Sequence, residues 1–316
     1  MLHRIRAGVA VAFLALCGQQ PVALAAEALT TNQPADSLSF VDLATMKSVA
    51  TLAIGGKPAG IALSPDRTKA YVTAPDSKEL VEVDAVSRVV TRRLALGGGP
   101  LGIAAHPSLP EVYVADWFSH RVIVVDARSL TVTGTIEVGQ SPSGLAVTPD
   151  GRLLLSADRD SDSISIIDIA ARTRVASIPA GQRPFGVTID AKGERAYIAN
   201  VKSNNVSVID IAARRLIGTI PTGRRPYAVA LARGRGFSTD QYGGGITVFD
   251  LGTLSPIKTV RLCDHPEGIE ADASGGDVYV ACWGDNVLIR LDADTLKVTG
   301  KADVGDGPRA FGKFLR

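Results

Sequence analysis

After its first 25 residues the chain alternates apolar and polar positions with a period of two, in short runs broken by Gly, Pro, Asp and Ser. Runs of this kind, rich in Val, Ile and Ala, predict short strands. Between Pro100 and Pro142 the pattern places strands over Leu101–Ala105, Glu111–Ala115, Arg121–Asp126 and Val132–Val138, with Pro107 and Pro110 in the first turn. The unit then repeats. A proline opens each copy (Pro58, Pro100, Pro142, Pro184, Pro226, Pro266, Pro308), and an aspartate closes the third strand (Asp42, Asp84, Asp126, Asp168, Asp210, Asp250, Asp292). Both series step by 42 residues, with one 40-residue step at the fifth unit. Four short strands per unit at this period predict one propeller blade per copy. The fold class read here is all-β: a seven-bladed propeller of four-stranded antiparallel blades.

The ends complete the ring. Counting back from Asp42 places a second strand at Ala28–Asn32, a third at Leu38–Asp42 and a fourth at Val49–Ile54. Their missing first strand is expected from Arg309–Leu315 at the other terminus, because an open blade would leave an unpaired edge. The repeated Asp has a mechanical reading, as a carboxylate that accepts backbone N–H groups and closes a turn. Gly and Pro in the GxxP segment steer the crossover from the outer edge of one blade to the inner edge of the next.

Composition changes the picture in three ways. Arg4 and Arg6, the apolar run Ala7–Leu16 and Ala23-Leu24-Ala25 read as a signal peptide over residues 1–25, leaving 26–316 as the propeller. The apolar run is too short to span a bilayer, so no membrane insertion is expected after cleavage. Export predicts a periplasmic or secreted protein. Arg4 and Arg6 also account for the whole formal +2, so the mature chain is neutral and does not declare itself a nucleic-acid or membrane binder. Cys263 and Cys282 are the two cysteines that remain, and an exported pair predicts a disulfide.

At the residue level Ala70-Tyr71-Val72-Thr73, Val112-Tyr113-Val114-Ala115-Asp116 and Ala196-Tyr197-Ile198-Ala199-Asn200 each follow a GxxP segment, and Ser64-Pro65-Asp66 and Thr148-Pro149-Asp150-Gly151 form its first turn. This tandem pattern resembles the YVTN-family propeller repeats, over essentially the whole mature chain. The resemblance implies a seven-bladed propeller outside the cytoplasm and no single activity. Relatives include surface-layer proteins, a periplasmic DNA-binding propeller, and propeller domains of nitrite reductases and quinoprotein dehydrogenases. The chain has no CxxCH, which excludes covalently attached haem c, and no cofactor is predicted.

Seven copies act as an internal control: shared positions serve the blade, and departures are where function can sit. Strand directions put the GxxP crossover and the loop after the second strand on one face, the top. Before the marker proline stand Lys57, Gly99, Ser141, Arg183, Arg225, His265 and Gly307; after it stand Ala59, Leu101, Ser143, Phe185, Tyr227, Glu267 and Arg309. Lys57, Arg183, Arg225 and Arg309 beside Phe185 and Tyr227 predict a mouth for a small anionic or aromatic ligand or a protein partner, with His265, Glu267, Trp117 and Trp283 at its edge. The same ingredients serve single-stranded nucleic acid. The opposing reading is a solvated rim balanced by loop aspartates, among them Asp36, Asp76, Asp116, Asp158, Asp160, Asp162 and Asp285. In the sixth unit the usual Gly before the proline is Cys263, and the residue ending the second strand is Cys282. A bridge there braces the top face; the alternative adds His265 to the two thiols as a soft-metal site.

Other signals are set aside. Gly97–Gly102 matches GxGxxG but joins two strands, where the dinucleotide motif needs a helix. Asp158–Asp162 begins like a calcium loop, then carries Ser163 and Ile169 where Gly and Glu are required. His106 reads as a turn residue on the opposite face, and His120 with Trp117 and Phe118 as a contact surface. No GxSxG elbow is present. The expected function is non-enzymatic binding through the top face. The rival is an enzyme, lactonase-like or a metal- or quinone-dependent redox subunit.

Overall fold

A computed structural model describes residues 26–316, so the expected signal segment lies outside the described residues. Seven sheets form a ring. Five are four-stranded and antiparallel, read from the axis outward in chain order; the first blade carries a parallel fifth strand beside its four antiparallel ones, and the seventh has three. The first blade runs Gly60–Leu63, Lys69–Ala74, Glu79–Asp84 and Val89–Ala95; the sixth ends at Val298–Asp303. In the second blade the strands are Pro100–Ala105, Glu111–Asp116, Arg121–Asp126 and Thr131–Glu137, within a residue of expectation.

Burial follows the period. Middle strands such as Arg121–Asp126 are covered on both faces, while outer strands such as Val89–Ala95 alternate exposed and half-buried positions. The core lies between blades, where Tyr113, Leu145 and Leu154 pack across one seam and Tyr197, Val229 and Phe249 across another. At the axis adjacent blades meet backbone to backbone. A Cβ on Gly102 or Gly144 would collide with the carbonyl of Ser143 or Phe185 in the next blade, so only glycine fits there. Each closing aspartate acts as expected: Asp126 Oδ1, for example, accepts the N–H groups of Arg128 and Ser129 at 2.9 and 2.7 Å.

The seventh blade is stitched from both termini. Glu27–Asn32, Ser37–Asp42 and Lys47–Ala53 supply three strands. The C-terminal segment lies antiparallel beside the first of them, through Ala28–Leu315 and Asn32–Pro308 bridges and through Leu29 N–H to Phe314 C=O at 2.9 Å. It is not one continuous strand. Phe311–Gly312 turns inward and pairs parallel with Gly60–Ile61 of the first blade, with Gly312 at φ 132°. A buried clasp seals the joint: Arg316 Nη2 lies 2.7 Å from Glu27 Oε2, and Arg88 Nη2 2.6 Å from Glu27 Oε1.

Candidate functional site: the top face

Two repeated devices build the top face. In the first, the residue before the marker proline takes a left-handed conformation in six of the seven copies, all but Gly99. In five of them its N–H is caught by the residue 21 positions earlier, in the hairpin of the preceding blade. Asp36 Oδ1 holds Lys57 at 2.8 Å, Asp162 Oδ1 holds Arg183 at 2.7 Å, and Asn204 Oδ1 holds Arg225 at 2.9 Å. His120 Nδ1 does the same for Ser141, and Asn286 Oδ1 for Gly307. This latch was legible as a polar residue at a fixed 21-residue offset, and the sequence reading missed it by treating Asp36 and Asp162 as rim charge.

In the second device, the residue ending the second strand is buried against the glycine of the GxxP that opens its own blade. Asn32, Asp158, Asn200 and Asp240 back onto Gly305, Gly139, Gly181 and Gly223. Each finds a hydroxyl seven residues on: Ser39, Ser165, Ser207 and Thr247. In the sixth blade that hydroxyl is replaced by Ile289, and the pair is Cys263–Cys282, bonded with Cα atoms 6.0 Å apart. The disulfide is as expected, and it overturns the soft-metal alternative: the sulfurs of Cys263 and Cys282 are joined to each other, leaving His265 alone. Trp283 N–H donates to His265 C=O at 2.9 Å, so the bridge fixes the two loops that present these rings.

The expected mouth residues divide into groups. Phe185 and Tyr227 pack on each other at 4.6 Å and against Phe311 at 4.8 and 5.4 Å, tilted or edge-on and buried, so the three rings form a plug across the axis. Arg309 belongs to the same plug. Its Nε–H donates to Tyr227 Oη at 2.7 Å and lies 3.1 Å from Glu267 Oε2, while Nη1 reaches Gln33 Oε1 at 2.9 Å. Burial pushes the Tyr227 hydroxyl and the Glu267 carboxyl upward, the latter against the pull of Arg309. Below the plug the axial channel encloses about 490 Å³, walled by innermost-strand residues such as Ile103, Val147 and Ile269 and opening toward the opposite face. His106, on that face, is a turn residue as expected: its Nδ1 accepts the Ser108 and Leu109 N–H groups and its Nε2 meets Gly151 C=O at 2.9 Å.

The exposed groups encircle the plug. Lys57 pairs with Asp36 at 3.1 Å. Arg183 and Arg225 join Arg159, Lys202 and Arg224, which the sequence reading did not single out, around a depression of about 240 Å³ between the third and fifth blades. Arg159 lies over Trp117 at 5.2 Å and Arg225 over Tyr242 at 4.3 Å. From Tyr242 a row of rings continues to His265 at 5.1 Å and on to Trp283 at 6.2 Å, with His265 Nδ1 2.7 Å from Asp264 Oδ1. Among the described residues the exposed aromatic side chains are Phe118, Tyr242 and Trp283. All three stand on loops that follow a second strand, hence on this one face.

Ring and rim together define a seven-bladed β-propeller whose top carries cations and aromatic rings. The sequence matches the family described as lactonase, 7-bladed beta-propeller, over residues 61–219, and the chain belongs to that family. No curated protein matches it. Among solved structures it is similar to Kuenenia stuttgartiensis hydrazine synthase (22% identity, 81% of this chain and 89% of that one, TM-score 0.73). It is also similar to a functionally unknown protein from Desulfotomaculum acetoxidans DSM 771 (15%, 90% and 99%, TM-score 0.76). A third is dihydro-heme d1 dehydrogenase NirN in complex with DHE (16%, 92% and 74%, TM-score 0.67). At these identities the likeness shows the fold. Among the described residues no helix is long and apolar enough to cross a membrane.

Proposed function

We propose that this chain is a non-enzymatic, YVTN-type propeller of the periplasm or cell exterior that engages an anionic ligand or a protein partner through its top face. The observation that carries the reading is the one-sided distribution of anchors: both tryptophans, the exposed Phe118 and Tyr242, and the Arg183–Arg225 group all stand on top. Trp, Tyr and Arg dominate binding energy where proteins meet, and cations beside rings hold anions. The Cys263–Cys282 bridge supports the extracytoplasmic placement, since such bonds persist in oxidising compartments. The test is site-specific photo-cross-linking in exporting cells, with the photoreactive residue at Phe118 or Trp283 and, as control, at Leu109 on the opposite face. Adducts from the two top positions alone are expected; adducts from Leu109 alone, or none at the top, would refute the reading.

A second reading has its own support. Family membership names a lactonase, and the His265–Asp264 contact on the same rim leaves His265 Nε2 free to take a proton from water. Hydrolysis of a lactone panel, lost in His265→Ala but kept in Lys57→Ala, would favour this enzyme over the binder.

A further inference from the structure

The depression between the third and fifth blades concentrates charge with little to cancel it. Five cationic side chains line it, Arg159, Arg183, Lys202, Arg224 and Arg225, from three successive blades. Of these, Arg159 alone meets a carboxylate, Asp160 at 2.7 Å. Asp162 stands close by, but its Oδ1 is occupied by the Arg183 backbone N–H. The side chains of Arg183, Lys202, Arg224 and Arg225 make no ion pair with another described residue. Like charges held this near one another repel, and an anion that touches several of them relieves that repulsion.

The arrangement is also held in place. Arg183 and Arg225 rise from left-handed backbone pinned by Asp162 and Asn204 and followed by proline, so their Cα–Cβ directions are set before any ligand arrives. At the two ends of the depression guanidinium groups lie on rings, Arg159 on Trp117 and Arg225 on Tyr242. A stacked guanidinium keeps its N–H fork directed sideways for paired bonds to an oxyanion. The depression measures about 240 Å³. A ligand of that size with two or more anionic groups fits; a single phosphate leaves cations unpaired.

We propose that this depression is a binding site for a small polyvalent oxyanion, of the diphosphate class. It differs from the axial mouth, where Arg309 pairs with Glu267 and donates to Tyr227. It also disfavours a nucleic-acid strand, because the ring faces of Trp117 and Tyr242 that border it already carry guanidinium groups and offer no platform for a base. The site rests on the proposed role of the top as the binding face, and names the chemistry of its occupant.

The experiment is isothermal titration of the full chain with inorganic phosphate, diphosphate, triphosphate and citrate, at low and at physiological salt. Diphosphate is expected to bind about tenfold or more tighter than phosphate, weakening as salt rises. Arg183→Gln and Arg225→Gln should each lower its affinity about tenfold, the loss of one charge-assisted contact. Lys47→Gln, on the exposed outer strand of the seventh blade, should leave it unchanged, and an unaltered near-ultraviolet dichroism spectrum certifies that each variant is folded. Citrate matching diphosphate would support the site and widen its class to polycarboxylates. Equal affinity for phosphate and diphosphate, or no loss in either arginine variant, would overturn the proposal. So would binding confined to an oligonucleotide, with affinity that grows with length. Missing diphosphate binding together with adducts at Phe118 would sink the oxyanion site and leave the binding face standing; the converse pair of results would do the reverse.

Discussion

Asp240 is the buried carboxylate of the top face least provided with donors. Its Oδ2 accepts from Thr247 Oγ1 at 2.7 Å, and among the described residues its Oδ1 has no hydrogen-bond partner. Burial accordingly pushes it from 3.8 up to about 6. The folded state therefore holds a proton that the unfolded chain releases at lower pH. Such a group contributes stability that is present below the unfolded value and lost as pH rises through the folded one. A shift of about two units corresponds to about 3 kcal/mol lost between about pH 4 and pH 6. The repeat supplies the remedy, since Asn200 occupies the equivalent place and donates from Nδ2 to Ser207 Oγ, the counterpart of Thr247, at 2.9 Å. Asp240→Asn should raise the free energy of unfolding by about 1–3 kcal/mol near pH 7 and by little near pH 4. Urea titrations at the two pH values measure it from the midpoint and slope. An equal effect at both pH values, or a loss of stability at neutral pH, would refute the reasoning.

The closing clasp makes an asymmetric prediction. Glu27 and Arg316 are 2% and 5% exposed, so Glu27→Gln leaves a buried guanidinium without its carboxylate and should cost about 3–5 kcal/mol. Arg316→Met should cost less, since Glu27 keeps Arg88; equal melting-temperature losses in the two variants would contradict this. For the disulfide, Cys263→Ser/Cys282→Ala should lower stability by about 3 kcal/mol, as expected for a loop of this length, and lose nothing further on reduction. Cys282→Asp in place of Cys282→Ala should be worse still, because Ile289 cannot donate to the carboxylate; parity of the two in denaturant midpoint would argue against the hydroxyl-pairing rule.

How much could be read beforehand follows from what repeats. Blade number, strand order, the stitching of Arg309–Leu315 against the first strands and the Cys263–Cys282 pair were all legible, because each is a matter of period and register. The latch through Asp36, His120, Asp162, Asn204 and Asn286 was equally periodic and was overlooked. The mouth was not legible. From spacing alone Phe185, Tyr227 and Arg309 appear as free faces and a free charge converging on an opening. Phe311 breaks the expected terminal strand, turns inward and covers them.

Sequence alone thus determined the ring, since a two-residue side-chain alternation inside a 42-residue repeat leaves neighbouring sheets one way to bury their faces. Tertiary structure alone decided which top-face groups are spent and which are free. Arg309 meets Glu267 and Tyr227 across gaps of 42 and 82 residues, and the side chains of Arg183, Lys202 and Arg225 make no ion pair with another described residue. Those outcomes depend on side-chain direction and on which neighbours the ring brings close, and periodicity carries no information about either.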